Sequence, residues 1–159
     1  MPSNPGYDRV GLAIVDDGTL VHSACIVTDK KDLQEVRLKQ VYDGVCAIID
    51  RWQPTHLALE TLFFSVNKKT AIKVAESRGV IVLVAGIFAI PLIELSPQKV
   101  KLAMAGVGNA SKEQVQKMVQ LTLQIDISKK LDDEIDAIAL AFAAVGEIKR
   151  NTLEKGLAK

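Results

Sequence analysis

Three acidic residues stand in positions that could serve chemistry on a phosphodiester. Glu60 interrupts the otherwise apolar run "HLALETLFF", and Asp133 and Asp136 open the segment "LDDEIDAIALAFAAV". A spacing of three on a helix points Asp133 and Asp136 the same way. Brought together, the three carboxylates repel one another, and hard divalent cations relieve that repulsion. Two such ions can clamp the attacking and leaving oxygens of phosphodiester hydrolysis. Each acid also has a plainer reading. A lone strand carboxylate can face solvent, and acids at a helix start complement its dipole and cap free N–H groups. Asp132 and Glu134 suit that second description; Asp136, inside the helix and followed by "AIALAF", suits it less.

Other chemistries find little support. His22 and His56 are isolated, no Ser-His-Asp arrangement is apparent, and "AGVGNASK" lacks the P-loop spacing. Lys99, Lys101, Lys112 and Lys117 flank that Gly-rich loop near two helix starts, where lysines and backbone N–H groups both suit phosphates. A solvated helix face is the competing account. Phe63 and Phe64 are adjacent aromatics just after Glu60; packing is their default, and stacking on an unpaired base is the alternative.

The elements that must position these groups follow from local signals. "RVGLAIVD" and "TLVHSACIV" are strand-like runs joined at "DDGT", which predicts an antiparallel hairpin. Apolar residues at helical spacing through "DLQEVRLKQVYDGVCAIIDRW" predict a helix ended by Pro54. "HLALETLFF" and "IPLIEL" are predicted strands, separated by the helical stretch "KKTAIKVAESRGVIVLVAGIF". That helix turns almost wholly apolar after Gly79, so its second half is expected to be buried on most sides. Ser96-Pro97 and "SKEQ" at 111–114 each cap a further helix, and the last begins near Leu131. The order implies a mixed sheet with helices on its faces, its first strand short.

At 159 residues the chain is large enough for one core, taken as a domain over 1–150 and a solvated tail over 151–159. A net charge of +1 supplies no overall field for nucleic acid, so any DNA surface must be a local cluster of lysines. No long uncharged apolar run and no secretory signal pattern appear, which predicts a soluble, cytoplasmic protein without membrane contact. Cys25 and Cys46 lack metal-ligand spacing and are expected to be reduced.

In order along the chain, "NPGYDRVGLAIV", "LALETLFFSVNKKTAIKVAESRGV", "SPQKVKLAMAGVGNASKEQVQKMV" and "DEIDAIALA" resemble the RuvC family of Holliday-junction resolvases. The resemblance covers nearly the whole chain to about Ala144, and the third stretch is long and idiosyncratic. It implies a ribonuclease H-like α/β fold, a mixed five-stranded sheet flanked by helices. It also implies a homodimer that binds four-way junction DNA and nicks two strands symmetrically in recombination and repair. Mg²⁺, for which Mn²⁺ would substitute, is implied at four positions corresponding to Asn4, Glu60, Asp133 and Asp136. Phe63 matches an aromatic that probes bases at the junction centre, and Lys101 and Lys112 match lysines on phosphate near the scissile bond. A branch-migration complex is a further implied partner.

One position departs from the family pattern. The family's first acid, the Asp of D-P-G at the end of a leading apolar strand, is here Asn4, preceded only by "MPS". An amide brings no negative charge and cannot act as a base, so the resolvase is expected to be inactive or weakly active. A non-catalytic junction-binding protein with the same fold is the alternative. Retention of Glu60, Asp133 and Asp136 weighs against it, because without metal these carboxylates repel DNA phosphates.

Overall fold

The computed structural model describes residues 8–61 and 68–157, the side chains of 68–70 and 155–157 excepted. β1 (Arg9–Asp16) and β2 (Thr19–Val27) form the expected antiparallel hairpin, from Arg9 opposite Val27 to Asp16 opposite Thr19. Asp17 and Gly18 both take positive φ at its turn, which matches the right-handed twist of the strands it joins. β3 (Leu57–Glu60) pairs in parallel with β4 (Leu92–Leu95), and a parallel pair needs a long crossover. α2 (Lys68–Ile87) lies in that crossover, and α1 (Gln34–Trp52) connects the hairpin to β3.

Both predicted caps are present. The Ser96 hydroxyl accepts from the Lys99 amide ahead of α3 (Pro97–Ala105), and Ser111 and Gln114 form a reciprocal capping box on α4 (Lys112–Leu123). α5 (Asp132–Leu157) is the longest element and carries the stretch after residue 150 through two further turns.

Three apolar clusters organise the chain. Val41, Val45 and Ile49 of α1 pack with Ile81 and Val84 of α2 against Val10, Leu12, Leu57 and Leu59. On the other face, Ile135, Ile138 and Ala139 of α5 pack with Val115 and Val119 of α4 and reach Ala13. Leu95, Ala143 and Ala144 join β4 to α5 beside Ala58. Helices therefore cover both faces, as expected.

The mixed α/β architecture is the expected one, and one feature departs from expectation. Among the described residues four strands form one antiparallel and one parallel pair, as a mixed sheet requires. The expected leading strand and Asn4 lie outside the described residues, as does Phe63, and β3 is described only as far as Glu60. The departure is that the apolar half of α2 is not buried on most sides: Leu83 and Ile87 are each 58% exposed. That half of the helix is apolar all round, and one face of it finds no neighbour within the described residues.

Candidate metal and nucleic-acid site

Five elements converge on one cavity of about 480 Å³, lined by Glu60, Lys101, Lys112, Asp133 and Asp136 together with Gly11 of β1. Glu60 stands at the last residue of β3, Lys101 on α3, Lys112 at the first position of α4, and the two aspartates on the first turns of α5. The predicted spacing thus puts both α5 carboxylates on the side that faces β3.

The electrostatics show how closely these groups interact. Glu60 is open to solvent, yet protein surrounds it on several sides. Burial first, and the Asp136 charge second, raise its pKa, while Lys101 opposes the rise. Burial likewise raises Asp133, with Arg9 opposing and Asp136 adding to the shift. Lys112 Nζ lies 3.1 Å from Asp136 Oδ2 and 3.4 Å from Asp132 Oδ2. All three side chains are substantially exposed, so each pair contributes at most about 1 kcal/mol. Lys112 can therefore exchange a carboxylate for a phosphate at little cost.

Asp133 is held differently. Arg9 Nε approaches its Oδ2 to 3.1 Å, but that buried oxygen accepts no hydrogen bond among the described residues. A buried carboxylate oxygen without a hydrogen bond is costly unless a cation meets it. The site's donors are hard oxygens, which suit Mg²⁺, Mn²⁺ or Ca²⁺ better than softer metals. Among the described residues no three His, Cys, Asp or Glu side chains come close enough to hold an ion by themselves. The three carboxylates fit a divalent cation in chemistry and share a cavity; further oxygen donors must complete the shell.

The remaining acids of the α5 start separate by role. Glu134 turns away from the cavity, accepting from Ser23 of β2 at 2.6 Å and pairing with Lys130 at 2.7 Å. It ties α5 to the hairpin. Asp132 is exposed and accepts from Gln116 at 3.2 Å. Lys99 pairs with Glu147 on α5 and does not line the cavity.

Two residues at the site escaped the sequence reading. Arg9 gave no sequence signal, because a basic residue at a strand start is unremarkable. Gly11 did give one: an isolated glycine within a strand marks a bulge or close backbone approach. A Cβ there would lie 1.8 Å from the Asp133 carbonyl oxygen.

The chain resembles known proteins over most of its length. The family model for crossover junction endodeoxyribonuclease RuvC matches residues 1–144. RuvC of Thermosipho melanesiensis is 35% identical over 150 residues, covering 92% of this chain and 96% of the relative. RuvC of Moorella thermoacetica is 41% identical over 143 residues, covering 87% and 85%. The solved structure of T. thermophilus RuvC in complex with Holliday junction substrate superimposes with a TM-score of 0.84 at 26% identity, over 93% of both chains. No helix among the described residues is long and apolar enough to cross a membrane.

Proposed function

The chain belongs to the RuvC family of crossover junction endodeoxyribonucleases, metal-dependent nucleases that resolve DNA junctions, and on that premise we propose roles for its residues. Glu60, Asp133 and Asp136 hold Mg²⁺, with Mn²⁺ able to replace it, and Asn4 occupies the fourth position as a neutral ligand. Bound there, the cation supplies Lewis-acid stabilisation of the phosphoryl oxygens and a more acidic water. Lys101 and Lys112 bind and orient the phosphate beside the carboxylates, and Phe63 stacks on a base at the junction centre. The observation that carries this reading is the convergence of three carboxylates and two lysines, from β3, α3, α4 and α5, on one cavity.

The working unit is a homodimer in the cytoplasm, one site for each of the two strands nicked, handed its junction by a branch-migration complex. The exposed apolar residues Ile72, Leu83 and Ile87 of α2 support self-association, because monomers rarely leave such a stripe uncovered. The domain spans residues 1–150, and 151–159 stay solvated.

Asn4 lowers the activity of the chain as it stands, since an amide contributes neither charge nor a base. The test compares the chain with Asn4→Asp on a synthetic four-way junction, with Mg²⁺, Mn²⁺ or chelator, scoring binding and nicking separately. Equal binding, with symmetric nicks faster by roughly 10³–10⁴-fold in the aspartate form, is the expected result. Binding without nicking by either form would favour the non-catalytic junction binder, the reading that Asn4 itself recommends.

A further inference from the structure

β1 lays one face along the start of α5. Residues two apart on a strand share a face, and three of β1 do so here. Ala13 packs against the apolar cluster of α5, Gly11 meets the Asp133 backbone, and Arg9 reaches the Asp133 side chain. Arg9 is the charged member of that row. Its Nε lies 3.1 Å from Asp133 Oδ2, with the two side chains only 26% and 13% exposed. A guanidinium so enclosed costs free energy unless a carboxylate meets it. Asp133 is that carboxylate, and Arg9 is the chief influence that opposes the effect of burial on it.

The other cations of the site are held more loosely. Lys112 and its partner Asp136 are 43% and 56% exposed, so Lys112 is free to turn toward a phosphate. Arg9 stands on a strand paired opposite Val27, and the contact of Gly11 with Asp133 fixes that strand against α5. Its charge is permanent. A divalent cation bound to Asp133 therefore meets a fixed positive charge. Two effects then compete. Arg9 orients the carboxylate, which favours the cation, and its charge repels the cation. Orientation contributes little, because the Asp133 side chain is short and its backbone is already fixed. Repulsion acts on a double charge in a partly enclosed site, where water and salt screen it poorly. Repulsion wins.

We propose that Arg9 is a positioning residue that serves Asp133 as a resident counter-ion. It keeps the carboxylate charged and in place while no divalent cation is bound, and it weakens the site for the cation that arrives. The inference rests on the metal-site reading given above. Its sign separates it from a plain structural ion pair. Removing a structural pair leaves cation affinity unchanged or lowers it, whereas removing the Arg9 charge raises it.

The test measures Mn²⁺ binding to the intact protein by calorimetry, and thermal unfolding in chelator. Arg9→Met keeps the length of the side chain without its charge, Arg9→Gln keeps an N–H donor without charge, and Arg9→Lys keeps the charge. Both neutral variants should bind Mn²⁺ about tenfold more tightly than the unaltered chain. In chelator their Tm should be lower by about 4–8 °C. Arg9→Lys should hold the affinity within about threefold. If Arg9→Met does not fold, Arg9→Gln decides alone. Unchanged or weaker Mn²⁺ binding by the neutral variants would overturn the proposal, and so would equal tightening by Arg9→Lys. In either case saturable binding by the unaltered chain, weakened by Glu60→Gln, would leave the metal-site reading standing. No Mn²⁺ binding by any form would overturn both.

Discussion

Gly11 of β1 and Asp133 of α5 meet backbone to backbone: a Cβ at position 11 would lie 1.8 Å from the Asp133 carbonyl oxygen and 2.4 Å from its carbonyl carbon. The glycine has no special φ to explain it. Its requirement is space, because the first turn of α5 lies directly on the strand. That contact sets how deeply Asp133 enters the cavity opposite Glu60.

Gly11→Ala must therefore push α5 away from β1, since neither backbone can yield locally. Overpacking of this kind costs about 1–3 kcal/mol. For a chain of this size that lowers Tm by about 2–4 °C per kcal/mol. Nicking by the Asn4→Asp background should fall further than stability does, because Asp133 moves with the helix. Thermal unfolding and junction nicking, measured on the same preparation, check both halves.

Glu60 should oppose folding once ionised. Its folded pKa is raised above the ordinary 4.5, so the native state holds its proton more tightly than the unfolded chain. The cost of charging it is absent below the unfolded value and fully present above the raised folded one. Glu60→Gln should therefore be the more stable protein at neutral pH in chelator. Its advantage should vanish as pH falls below about 4.5. Urea unfolding of the two forms across that window gives the answer, and a pH-independent difference would contradict it.

Glu134 should show the opposite sign. Burial alone would raise its pKa, but Lys130 and Ser23 outweigh that and hold it below 4.5. Its contribution is present above the unfolded value and lost as pH falls through the depressed folded one. Glu134→Gln should cost about 1.5–3 kcal/mol at neutral pH, the scale of hydrogen bonds to a charged group. The loss should shrink in acid. Asp132→Asn, at an exposed position, should change stability by less than about 0.5 kcal/mol.

Lys112 tests the DNA face. Each phosphate contact contributes about 0.9 to the slope of log K against log salt. Lys112→Ala should flatten the slope for junction binding by about that amount. Lys149, which pairs with Asp17 at the far end of β1, lies outside the carboxylate cavity and should leave the slope unchanged when replaced by alanine. Filter binding or fluorescence anisotropy over a salt series distinguishes the two. Equal slopes for both variants would place the DNA elsewhere.

The sequence by itself determined the local elements and the chemical inventory of the site. The Asp17-Gly18 turn, the Ser96 cap and the Ser111–Gln114 capping box are short-range hydrogen-bonding devices, legible because every partner lies within a few residues. Asp133 and Asp136 were legible as a pair for the same reason, since helix geometry alone aligns residues three apart. The place of Glu60 beside them needed the tertiary structure, because residues more than 70 apart meet only when α5 packs across β1 and β3. Arg9 against Asp133 and Glu134 against Ser23 belong to the same class. The exposure of Leu83 and Ile87 lay equally out of reach: an apolar sequence states what a helix would bury, and only the packed chain decides which of its faces finds a neighbour.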